Sequence, residues 1–147
     1  LGSYNHFDAQ LPMALEAIIA GGIEEGYDFE LINTAGEPLQ LDLSKTIRQI
    51  TDDIHNDLPT AEISAKFHNT IAAALLEMAK AVRESTKLNT VALSGGVFCN
   101  RYLINRLINL LKQDGFSVLL NRNVPSNDGG ISLGQAAIAA KLISHNL

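Results

Sequence analysis

The chain has 147 residues, 46% of them hydrophobic and 18% charged, which is a one-domain length with an ordinary globular composition. A net charge of −5, with no basic run and no Trp, argues against a nucleic-acid surface. The single cysteine excludes an internal disulfide framework or a thiolate zinc cluster, and no apolar run approaches the ~20 residues that span a bilayer. No nucleic-acid partner and no membrane are therefore expected, and the cysteine usage fits a reducing, cytoplasmic setting. The opening "LGSYNHFDAQ" has no initiator Met. "LPMALEAIIAGG" lacks a basic leader and contains Glu16, a poor signal peptide. A piece of a longer protein is the expectation.

In chain order, Leu11, Leu15, Ile18 and Ile19 recur at helical spacing and predict a helix from about Asp8 to Ala20, stopped by Gly21 and Gly22. "YDFELIN" and "PLQLD", separated by "TAGE", alternate as two strands of a hairpin. Ser44 is a candidate N-cap for a helix from Lys45 to about His55, with Ile47, Ile50 and Ile54 facing inward. Pro59 and Thr60 open a long helix to about Glu84, with an apolar stripe of Ile63, Phe67, Ile71, Leu75, Met78 and Val82. From Leu88 the period changes. "TVALSGG" and "FSVLLN" read as buried strands, "CNRYLINRLINLLKQDG" as an amphipathic helix between them, and "GGISLGQAAIAAKLISH" as a final Ala-rich helix. The fold class is α/β. Residues 1–86 are mainly helical with a hairpin, and residues 87–147 form a βαβα unit with parallel strands.

Two glycine stretches, "LSGGVFCN" at 93–100 and "PSNDGG" at 125–130, fall after the two parallel strands and before helices. Ligands of open α/β sheets sit at that end of the strands. Glycine admits close backbone approach, and a helix start presents unpaired N–H groups. Together these suit a phosphate. Neither stretch is a P-loop or a dinucleotide fingerprint, and a tight turn without ligand is the alternative for the first. Asp128 beside a phosphate would repel it by about 1–4 kcal/mol at 4 Å, so it reads either as a metal ligand or as a plain helix cap. Ser94 reads either as a cap or as a partner of a phosphate oxygen.

Residues 91–140, from "VALSGG" to "AIAA", resemble the C-terminal end of the HypF carbamoyltransferases of nickel–iron hydrogenase maturation. "AEISAKFHNTIAAAL" is similar to that family's helix containing Phe-His-Asn-Thr. "FELI" with "PLQLD" resembles its hairpin, and "FDAQLPMALEAI" its Tyr-Glu-Gly-Gln-Ala-Ala segment followed by Leu-Glu. The resemblance implies the C-terminal lobe of an actin/hexokinase-like (RNase H-like) ATPase fold of the Kae/TsaD type. It implies carbamoyl transfer from carbamoyl-adenylate, made from ATP and carbamoyl phosphate, to the C-terminal cysteine of HypE, giving a thiocarboxamide. On this resemblance Gly95 and Gly96 would line the nucleotide phosphate, with Ser94 beside them as a further candidate, and Asn100 would contact the nucleotide. Asp128 would ligate a divalent metal (Mg, Zn or Fe), and Asp8 would touch ribose hydroxyls.

The chain departs from the family at several points. It has no H-x-x-x-H, and positions 8–12 read "DAQLP". The acylphosphatase-like, zinc-finger and adenylate-forming portions are not in it. Transfer to a small-molecule hydroxyl or to tRNA is the alternative within the fold. An inactive folding or interaction unit, with self-association, is the alternative outside catalysis; no turnover is expected from this segment alone. The remaining candidates have plain readings. His68 is a helix-packing histidine, with positioning of a catalytic loop as its alternative. His55 and His145 sit near helix ends, and His6 near the chain start. "TDDIHND" reads as a solvated helix end rather than a metal site, Cys99 as a buried, inert thiol, and Arg101 and Arg106 as solvated.

Overall fold

The computed structural model describes residues 4–145. Five α-helices, two short two-stranded sheets and two 3-10 turns make up its regular structure. Helix α1 (Gln10–Ala17) is shorter than the periodicity predicts. Its start has no side-chain cap, and Ala9 takes a left-handed φ of 61°. Its end comes early because the Ala20 N–H is drawn 3.0 Å to the Ala61 carbonyl of the long helix instead of continuing the turn. The hairpin forms from β1 (Glu30–Ile32) and β2 (Gln40–Asp42), antiparallel with Leu31 opposite Leu41.

Helix α2 (Ser44–His55) begins one residue earlier than expected, and Ser44 is not its cap. Asp42 Oδ1 accepts from both Ser44 N, at 2.8 Å, and Ser44 Oγ, at 2.6 Å. Ile47 and Ile54 face solvent, and the residue α2 buries is Thr46, whose hydroxyl donates to the Asp28 carbonyl at 2.6 Å. The anchoring is polar because α2 packs beside an irregular strand of chain whose carbonyls need donors.

Helix α3 (Thr60–Thr86) has 27 residues. Of the predicted stripe, Ile63 is buried, Ile71 and Leu75 are partly buried against the core, and Val82 is exposed; the rest of the buried face is Ser64, Ala65, His68, Asn69, Thr70, Ala72 and Ala74. The reason lies in residues 18–29, which have no strand or helix of their own to satisfy their backbone. Asn69 Nδ2 donates to the carbonyls of Ile23, at 3.0 Å, and Glu25, at 2.8 Å. Thr70 Oγ1 accepts from Tyr27 N at 2.7 Å, and Ser64 Oγ donates to the Leu15 carbonyl at 2.6 Å. Gly26 suits this close approach, since a Cβ would stand 3.2 Å from Thr70 Oγ1.

The second half has the predicted βαβα order. Strands β3 (Thr90–Leu93) and β4 (Ser117–Leu120) are parallel, with Val91 opposite Val118. Helix α4 (Arg101–Gln113) crosses between them and buries Leu103, Leu107 and Leu111, spaced four apart on one face. With Ala72, Leu93 and Phe116 these form the core. Gly115, at φ 83°, ends the helix as expected. The strands are not buried on both sides: Ala92 and Leu119 are exposed, because α3 and α4 cover only one face of this two-stranded sheet. Helix α5 (Ile131–His145) follows, with its residues through Ser144 all exposed; the side chain of His145 lies outside the described residues.

Candidate functional site

The chain enters α4 by way of a 3-10 turn, Gly96–Cys99, and enters α5 by way of another, Asp128–Gly130. The two turns meet. Gly95 N–H donates to the Ser126 carbonyl at 2.7 Å, and Cys99 Sγ lies 3.7 Å from Ser126 Oγ. Together with α1 they enclose a cavity of about 640 Å³. Asp8, Met13 and Glu16 line one side, Gly96, Val97, Cys99 and Asn100 a second, and Asn127, Asp128 and Gly129 the third.

Four of the six candidate residues, Asp8, Gly96, Asn100 and Asp128, are thus brought together. Ser94 and Gly95 are not part of the wall. Ser94 Oγ points to the Ser126 carbonyl at 3.5 Å, and the 3-10 turn behind it has no side-chain cap. Gly95 spends its N–H on the second loop, and its φ of 110° is the reason a glycine stands there. Gly129 and Gly130 are likewise explained by the fold, since a Cβ on either would come within 3.0 Å of Pro125. Gly96 is different. It has no positive φ, and a Cβ there would meet nothing within 4 Å. Its N–H and that of Val97 have no partner among the described residues.

The first turn of α4 itself is closed to an anion. Glu16 Oε1 accepts from Arg101 N at 2.7 Å and from Tyr102 N at 3.4 Å. Asn100 Oδ1 accepts from Leu103 N at 2.8 Å. The helix start that composition suggested as a phosphate seat already holds a carboxylate and an amide of the same chain, which complement its partial positive charge. Asn100 also has one Nδ2 hydrogen engaged, 2.9 Å from His68 Nε2, which leaves its second Nδ2 hydrogen without a partner among the described residues. The Glu16 contact joins residues 85 apart, and no local signal announces it.

Asp128 is not the cap of its turn. Asn127 is, with its Oδ1 accepting from Gly129 N at 3.1 Å. The carboxylate of Asp128 has no hydrogen-bond partner among the described residues and faces the cavity. The preceding "SN" contains this signal, since Asn is as good a cap as Asp.

Asp8, Glu16 and Asp128 put three carboxylates around the cavity, and no Lys or Arg lines it. An anionic ligand there needs a cation with it. Among the described residues no three His, Cys, Asp or Glu side chains come together. The residues present therefore do not make a metal site by themselves, and Asp128 can supply one ligand of such a site and no more.

The other candidates fall elsewhere. Cys99 is exposed at the cavity wall, not buried. Arg106 is not solvated but paired with Glu24, at 2.9 Å. In "TDDIHND", Asp53 is mostly covered and bound by Tyr27 Oη and Lys66 Nζ, so the segment is not simply a solvated end. No helix among the described residues is long and apolar enough to cross a membrane.

Comparison with known proteins agrees with this architecture. The family described as carbamoyltransferase, Kae1-like domain, second subdomain, matches residues 1–135. A carbamoyltransferase HypF of Synechocystis sp. is 36% identical over 129 residues, which is 88% of this chain and 16% of that protein. A HypF homolog of Cupriavidus necator is 33% identical over 138 residues, covering 91% of this chain and 35% of that protein. A crystal structure of full-length HypF in its phosphate- and nucleotide-bound form superposes with a TM-score of 0.88 at 42% identity, over 97% of this chain and 18% of that one. The chain thus spans roughly a sixth to a third of the length of these relatives. It has the α/β fold of their Kae1-like domain, and it belongs to the HypF carbamoyltransferase family as the second subdomain of that domain.

Proposed function

We propose that this chain forms one wall of a carbamoyl-transfer site, with Gly96 and Val97 as its phosphate-binding amides. The observation that carries this is Gly96, a glycine that neither backbone angle nor packing demands, set at a cavity beside two unpartnered N–H groups. A missing Cβ at such a position leaves room for a ligand to reach the backbone. Family membership supports carbamoyl transfer, and the full-length HypF relative has a phosphate- and nucleotide-bound form.

The substrate is then carbamoyl-adenylate, drawn from ATP and carbamoyl phosphate, and the acceptor is the C-terminal cysteine of HypE. The acceptor thiol loses its proton to solvent, the sulfur bonds to the carbamoyl carbon, the carbon–oxygen bond to the adenylate phosphate breaks, and AMP leaves. The charge left on the phosphate rests on the Gly96 and Val97 amides, which are oriented beforehand by their 3-10 turn. Asp8, which lines the opposite wall, would be the contact for the sugar hydroxyls. Asp128 provides one carboxylate to a divalent cation that offsets the acidic lining, with the remaining ligands supplied from outside this chain.

The test uses a full-length HypF relative in which this chain replaces the matching segment. Gly96→Val should weaken ATP binding, read by calorimetry, and lower thiocarboxamide formation on HypE, read by mass spectrometry, by about a hundredfold, the scale of one lost oxyanion-type contact. Asp128→Asn should lower transfer and its dependence on divalent cation. Unchanged transfer in Gly96→Val would refute the assignment. The chain by itself should show no turnover.

A further inference from the structure

The sequence leaves His68 between packing and positioning, and the hydrogen bonds around it decide between them. His68 is 5% exposed, in the N-terminal third of α3. Its Nδ1 lies 2.8 Å from the Ser64 carbonyl, which can only accept, so Nδ1 carries the proton. Asn100 is equally constrained. Leu103 N–H donates to its Oδ1 at 2.8 Å, so the atom facing His68 Nε2 at 2.9 Å is the Asn100 amide nitrogen. The donors therefore run one way: Leu103 to Asn100, Asn100 to His68, His68 to Ser64. Only the neutral imidazole with its proton on Nδ1 completes the series. The ring is held edge-on by Phe67 and Tyr102, at 5.9 and 5.7 Å between centroids, and Tyr102 Oη is tied to Asn69 Oδ1 at 2.8 Å.

Asn100 is the joint between the 3-10 turn and α4. Its N–H donates to the Val97 carbonyl at 3.1 Å, and its own carbonyl accepts from Ile104 N at 3.0 Å. Where Asn100 stands determines where Gly96 and Val97 stand in the cavity. We infer that His68 is a positioning residue which, acting through Asn100 and only as the Nδ1–H tautomer, holds the 3-10 turn in the cavity wall. The inference concerns the cavity to which the carbamoyl-transfer reading applies, but its test uses no nucleotide, so the two can fail separately.

Two variants of the full chain separate hydrogen bonding from packing. His68→Phe keeps an aromatic ring against Tyr102 and removes the acceptor for Asn100. His68→Gln loses the ring and keeps an acceptor at about the place of Nε2. Amide hydrogen exchange is read at Leu103 and Ile104, relative to the core amides of Leu107 and Leu111, so that general destabilisation cancels. His68→Phe should raise the relative exchange by about tenfold, the scale of one buried hydrogen bond, and His68→Gln should restore most of the protection. The reverse order, Phe protecting better than Gln, would show that His68 only fills space. Nitrogen-15 spectra of the unaltered chain should show His68 as the Nδ1–H tautomer. The Nε2–H tautomer would overturn the inference whatever the variants do.

Discussion

At the scale of single residues, Asp53 and Tyr27 tie folding to pH. Asp53 Oδ2 accepts from Lys66 Nζ and, at 2.8 Å, from Tyr27 Oη, and Lys66 also stands 4.4 Å over the Tyr27 ring. The hydrogen bond from Lys66 holds the Asp53 carboxyl below its usual range, partial burial opposes this, and the Tyr27 hydroxyl adds to the lowering. Burial pushes the Tyr27 phenol above its usual value, and its bond to the Asp53 carboxylate adds to that. The lowered carboxyl contributes stability that is present above the ordinary aspartate value of about 4 and is lost as pH falls through the folded value. The raised phenol contributes stability that is present below the ordinary tyrosine value of about 10 and is lost as pH rises toward the folded one. The urea midpoint should therefore fall on both limbs. Asp53→Asn should flatten the acid limb and Tyr27→Phe the alkaline limb. Limbs unchanged in both variants would mean that this cluster does not govern the pH response.

At the scale of elements, the fold is held by two faces of different chemistry. The N-terminal half of α3 binds the irregular segment 18–29 through Asn69 and Thr70 and helix α1 through Ser64, while α4 meets α3 and the parallel strands through Leu103, Leu107 and Leu111. Leu107 is 1% exposed, and Leu107→Ala should cost about 2–5 kcal/mol in chemical denaturation, the range for a large aliphatic removed from a packed core. Ile47→Ala should stay within about 0.5 kcal/mol, although periodicity makes Ile47 look like a core residue. Equal losses at the two positions would mean that α2 packs by its isoleucines after all. The capping of α4 by Glu16 also belongs to this scale, since it fastens α1 to the helix start that the glycine loop leads into.

At the scale of the whole molecule, two apolar surfaces are left uncovered. Along α5, Ile131, Leu133, Ile138, Leu142 and Ile143 are each more than half exposed, and Leu119 lies bare on the uncovered face of β4. A two-stranded parallel sheet with one covered face is an unusual end state, because such sheets are ordinarily buried on both sides. The isolated chain should self-associate, with the sedimentation coefficient rising with concentration. Ile138→Asp with Leu142→Asp should suppress the rise. A concentration-independent monomer in the unaltered chain would rule this out.

Local chemistry was enough for the order and kind of the elements. The glycines at 21–22 and 115, the alternation around Leu31 and Leu41, and the four-residue spacing of Leu103, Leu107 and Leu111 each act within a few residues of where they stand. It was also enough to single out Gly96 and Asp128, since a glycine pair after a strand and an acid before a helix are local patterns. Only the tertiary structure decided which side of α3 is buried, that Gly95 serves the turn while Gly96 faces the cavity, and that Glu16 and the His68–Asn100 pair occupy the start of α4. The physical reason is common to these cases. Each depends on a carbonyl, carboxylate or amide brought from 30 to 85 residues away to satisfy a polar group, and such pairings leave no period in the sequence.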